Sequence, residues 1–93
     1  SVIMEFEKEK NILNELKIFD EKNIVICQTG FINSRFTINC LKYKVEYDIL
    51  KLEDTEKEQY ITINLNQIYK YEIKDKKIVI NLDNDTVIGI YII

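Results

Sequence analysis

The chain has no histidine, proline, alanine or tryptophan, and only two glycines, two cysteines and one arginine. Each shortage removes a kind of chemistry. Without histidine, no side chain has an ordinary pKa close to neutrality, and a cysteine nucleophile lacks its usual base. A zinc site would need Cys27, Cys40 and two carboxylates, an uncommon donor set. Gly30 and Gly89 are too few and too far apart to cradle a phosphate. Two cysteines do not make a disulfide scaffold, and both read as reduced, small core hydrophobes. No apolar run approaches the roughly 20 residues of a membrane-spanning helix, and no basic leader precedes an apolar core. The sequence therefore predicts a cytoplasmic, non-enzymatic protein with no membrane partner, no catalytic residue, no metal ligand and no cofactor.

What is present is a bias. Isoleucine occurs 18 times and lysine 12 times in 93 residues. Ile, Lys, Asn and Tyr are the residues of A/T-rich codons, which points to a low-GC bacterium or phage as the source. Hydrophobic residues make up 46% and charged residues 31%, the balance of a globular chain. The length suits one small domain spanning residues 1–93. A formal charge of −3 gives no basic field with which to neutralise phosphates.

Periodicity places the elements. Ile12, Leu13, Leu16 and Phe19, with Phe6 one heptad earlier, recur at helical spacing and predict an amphipathic helix over about 4–20. Glu5, Glu7 and Glu9 complement its N-terminal dipole. Strands follow over about 23–29, 35–51, 59–65, 68–74, 77–82 and 86–92. The 35–51 stretch changes phase: Phe36, Ile38 and Cys40 share one face, then Leu41, Tyr43, Val45, Tyr47 and Ile49 share one. A bulge or sharp bend near Cys40–Leu41 must restore the core face. Ile61, Ile63, Leu65, Tyr69, Tyr71 and Ile73 form a single apolar phase, with a corner at Asn66–Gln67. Gly89, inside an apolar strand, marks a bulge or a close backbone approach. The expected fold is α+β and mainly β: an N-terminal helix, then five or six antiparallel strands in a strongly bent sheet or small barrel.

Asp83-Asn84-Asp85-Thr86-Val87 follows an apolar strand, as the nucleophile motif of an aspartate-based phosphotransferase does. Such an enzyme needs a lysine and further carboxylates downstream, and a calcium loop would need a glycine where Ile88 stands. Asn and Asp between two alternating strands are hairpin residues, so this segment reads as a turn.

Two surfaces remain. Val87, Ile88, Ile90, Tyr91 and Ile92 form a strand apolar on both faces, which must be central, covered by the helix, or paired with another chain. That favours a protein-interaction or self-associating module, such as a small inhibitor or accessory protein of a mobile element. The alternative is a nucleic-acid-binding small barrel of Sm-like or OB-like architecture using Arg35, Lys42, Tyr43 and Lys44. On a regular strand, however, Lys42 and Lys44 face away from Tyr43, whereas a single-stranded nucleic-acid groove needs rings and cations on one surface. The helix-then-strands order is that of Sm-like rings, and the second half has the order of a pleckstrin-type sheet. Neither family's motif residues are found, and no family is assigned.

Overall fold

The computed structural model describes the backbone of residues 2–93 and the side chains from Glu7 onward. The side chains of Glu5 and Phe6 lie outside the described residues. Among the described residues one helix, α1 (Val2–Phe19), precedes eight strands: β1 (Ile24–Thr29), β2 (Ser34–Ile38), β3 (Leu41–Glu46), β4 (Ile49–Asp54), β5 (Gln59–Asn64), β6 (Ile68–Lys74), β7 (Lys77–Leu82) and β8 (Val87–Ile92). All pairings are antiparallel. Five strands form one sheet in the order β2-β1-β8-β7-β6, and three form a second in the order β3-β4-β5. The two sheets do not close into a barrel. No described helix is long and apolar enough to cross a membrane.

The core follows from the periodicities. Ile12, Leu16 and Phe19 lie one helical turn apart and are fully buried. They meet Ile24 and Ile26 of β1, Ile78 and Ile80 of β7, and Ile88 and Ile90 of β8, together with Leu41, Leu50, Leu52 and Ile63 of the smaller sheet. One face of each sheet therefore points inward. The helix stops where Glu21 takes a left-handed conformation (φ 61°), an arrangement that terminates helical hydrogen bonding. Lys8 then ties the helix to β6 by donating to the Ile68 carbonyl, and Asn11 does so by donating to the Tyr71 hydroxyl.

The stretch expected as one bent strand over 35–51 is divided between β2, β3 and the start of β4, so the strands number eight rather than five or six. The phase change at Cys40–Leu41 is real, and it takes the form of the sharp bend, a corner between sheets. Cys40 sits at φ 52°, its N–H donates to the Asn23 side chain, and the chain leaves the larger sheet for the smaller one. A second break, at Tyr47–Asp48, is a two-residue hairpin with Tyr47 at φ 56°. Tyrosine is an unusual residue in that conformation, and its identity gave no turn signal.

Further expectations resolve in the same way. Asn66–Gln67 does form a corner, a short 3₁₀ turn (Leu65–Gln67) capped by the Asn64 side chain. Tyr69 leaves the apolar phase and is 71% exposed, because a bulge between Ile68 and Lys70 shifts the register. Cys27 and Cys40 are half-buried and unbridged rather than core residues. The Asp83–Asp85 segment is a tight turn: Leu82 N–H donates to the Thr86 carbonyl at 2.8 Å, and Thr86 N–H donates to the Asn84 side chain at 3.1 Å.

Candidate functional site

β8 is hydrogen-bonded on both sides, to β1 and to β7, so its backbone offers no edge. Ile88 and Ile90 point into the core. Val87, Gly89 and Tyr91 face outward, and there the chain supplies its own cover. The Tyr91 ring lies across Gly89 so closely that a Cβ at that position would stand 2.8 Å from the ring. Lys77 Nζ sits 5.0 Å from the centre of the same ring. Gly89 thus marks a close approach, and the register past it is regular.

Arg35, Lys42, Tyr43 and Lys44 are not brought together. Lys42 and Lys44 lie on the outer face of the smaller sheet, and Tyr43 lies half-buried on its inner face, where burial raises its hydroxyl pKa with a further push from Asp20. Lys42 donates to Glu21 at 2.8 Å, which raises the lysine pKa and lowers that of the glutamate. The outer face of this sheet instead gathers Lys44, Lys51, Tyr47, Ile49 and Tyr60, with Lys51 Nζ 4.4 Å from the Tyr60 ring centre. Alternation along one strand could not reveal that grouping, since the ring comes from β5 and the cations from β3 and β4. Arg35 lies on the outer face of the larger sheet. With Val25, Cys27, Tyr91 and Ile92 it lines a concavity of about 370 Å³.

The sheet edges carry further unpaired backbone, and they are unequal. β6 carries a bulge and two lysines, Lys70 and Lys74, features that blunt an edge against pairing. The start of β3 is occupied, since Leu41 exchanges backbone hydrogen bonds with Glu21 and Lys22. β2 and β5 have no bulge and, between them, one charged residue, Arg35. They flank a shared seam, a concavity of about 130 Å³ lined by Phe36, Ile38, Gln59, Tyr60 and Ile61.

The orientation of the β2 backbone follows from parity. Ile93 N–H donates to the Asn23 carbonyl, so odd-numbered residues of β1 and β8 face one another across their ladder, and even-numbered residues of β1 face β2. Because Ile26 pairs with Phe36 and Cys27 with Arg35, Phe36 bonds to β1 while Arg35 and Thr37 point away from it. The Thr37 carbonyl agrees: it accepts from the Gln59 side chain, across the seam, at 3.0 Å. The N–H and C=O of Arg35 and the N–H of Thr37 have no partner among the described residues. Just before this edge, the β1–β2 hairpin presents Phe31, fully exposed, and Ile32, 61% exposed. Phe36, on the strand itself, is 38% exposed.

No protein-family model, curated protein or solved structure matches the chain. The chemistry of this edge is what it offers: unpaired backbone donors and an acceptor beside exposed apolar side chains, the requirements for adding an extended strand. Among the described residues, no three of Cys, Asp and Glu gather as a metal-holding group.

Proposed function

We propose that this domain is a non-catalytic interaction module that binds a protein partner by strand addition at β2. The observation that carries the reading is the unpartnered N–H and C=O of Arg35 and N–H of Thr37, lying beside Phe31 and Ile32. Two large apolar side chains at a hairpin tip gain nothing in water, and aromatic residues, phenylalanine among them, are enriched at protein interfaces. The reading moves the interaction surface from the central strand β8 to the edge strand β2, two positions away in the same sheet. A photo-crosslinking residue at position 31 tests it in source cells. A discrete adduct is expected there and none from the same probe at Asp75, on the opposite side of the larger sheet. Equal labelling at both positions, or none at 31, overturns the reading.

A second reading, single-stranded nucleic acid on the outer face of the smaller sheet, is favoured by the Lys51–Tyr60 stack with Lys44 directly across from Lys51. Glu46 and Glu53 stand 3.9 and 3.8 Å from those lysines and weaken any field for phosphate. Retention on an oligonucleotide column that falls steeply with salt is the expected sign. Salt-independent elution in the void overturns it.

A further inference from the structure

Arg35 is the only guanidinium in the sequence, and every ion pair among the described residues is made by a lysine. Its position is specific in two ways. Its own N–H and C=O face away from β1, so a strand laid on this edge would bond to it directly. Its side chain lies on the outer face, exposed, beside Val25, Cys27 and Tyr91. The next residue, Phe36, projects toward the inner face and is incompletely covered. Because side chains alternate along a strand, an added strand meets a cation on one face and an aromatic ring on the other at consecutive positions.

Building on the strand-addition reading above, we infer that the partner segment is an extended strand of a different protein, with an Asp or Glu directly opposite Arg35 and an aliphatic or aromatic residue beside it, opposite Phe36. Opposite charges directly across a ladder attract and like charges repel, so Arg35 selects the sign of its counterpart. A second copy pairing through its own β2 does not fit. The segment Ser34–Ile38 contains no acid. Two β2 strands paired about Arg35 would set guanidinium against guanidinium, and two paired about Phe36 would set Arg35 against Thr37.

The experiment uses two synthetic peptides, acetyl-Thr-Val-Thr-Val-Asp-Val-Thr-Val-Thr-amide and its counterpart with Lys in place of Asp, titrated into the ¹⁵N-labelled protein. The acidic peptide should protect the Arg35 and Thr37 amides from exchange and bind roughly three- to tenfold more tightly than the basic one. Arg35→Glu should reverse the order. Arg35→Gln should abolish the preference, and it serves if the Glu variant does not fold. Equal affinity of the two peptides, with the same amides protected, overturns the inference while leaving strand addition intact. Failure of both peptides to touch those amides also overturns it, and the crosslink at position 31 then decides the strand-addition reading separately. A protein already dimeric through β2, with those amides protected in the absence of peptide, overturns it as well.

Discussion

The side-chain amide of Gln59 bridges the two sheets, donating to the Thr37 carbonyl on β2 at 3.0 Å and to the Asp54 carboxylate on β4 at 3.1 Å. One side chain thus occupies the edge acceptor at one end of the seam and a buried acid behind it. Beyond Gln59, toward Arg35, the edge is open.

That division predicts a pattern of amide exchange in the free protein. Phe36 N–H, bonded to β1, should exchange slowly, while Arg35 and Thr37 N–H on either side of it should exchange at rates close to those of an unprotected chain. Amide exchange followed by NMR checks it. Uniform protection across all three would mean that the edge is already paired.

Among the described residues Asp54 is the one buried charged residue, 1% exposed. Its carboxylate accepts from the N–H groups of Asn39, Glu56 and Lys57 and from Gln59. Those donors, Asn39 foremost, hold its pKa below the ordinary value of 3.8 against the opposing effect of burial. A depressed carboxylate pKa contributes stability that is fully present above the unfolded value and is lost as pH falls through the folded one. Asp54→Asn should therefore be clearly less stable than wild type at pH 7, and the gap should narrow as pH drops below about 4. Urea midpoints for both proteins at pH 7 and pH 3 give the comparison, and a constant gap would contradict the assignment.

At Gly89 the sign of a substitution should depend on Tyr91. Gly89→Ala in wild type must displace the tyrosine ring and should cost about 1 kcal/mol, as mild overpacking does. In a Tyr91→Ala background the same change meets no ring and should be neutral or stabilising, because glycine inside a strand is itself unfavourable by roughly 0.5–1 kcal/mol. A double-mutant cycle by chemical denaturation measures the coupling.

The two faces of β8 should respond oppositely to charge. Ile90 is fully buried, and a lysine there faces a desolvation cost of several kcal/mol, comparable with a small domain's whole stability, on the order of 5 kcal/mol. Ile90→Lys should unfold the protein. Val87→Lys, on the outer face, should leave it folded. Circular dichroism of the two variants distinguishes these outcomes.

The layout was legible wherever periodicity carried it. The helix, the Asn66–Gln67 corner and the Asp83–Asp85 turn lie where Ile12–Leu16–Phe19 spacing and the Asn/Asp residues place them. The Tyr47–Asp48 hairpin was illegible because its left-handed position is filled by tyrosine, a residue with no turn preference. The Ile68–Lys70 bulge was equally silent, and it expels Tyr69 from the face that alternation assigned to it. The candidate site was the least legible part. Which strand lies at an edge depends on sheet order, and β8, the most apolar strand, is central. Arg35 was visible as the lone guanidinium, but its open backbone is a matter of parity relative to β1, and no local pattern encodes that.

Cys40 absorbs half a period as the chain passes between sheets, and this bears on which changes of length the fold can survive. Deleting Asn39 or Cys40 would not be a local lesion. It would restore strict alternation, so that Leu41, Tyr43 and Val45 continue on the face of Phe36 and Ile38, and the corner that Cys40 makes at φ 52° between the two sheets would be lost. A single deletion at that corner should therefore be rejected because it changes which sheet the chain continues in, whereas the hairpin tip at Phe31 can lengthen by any number without inverting a strand.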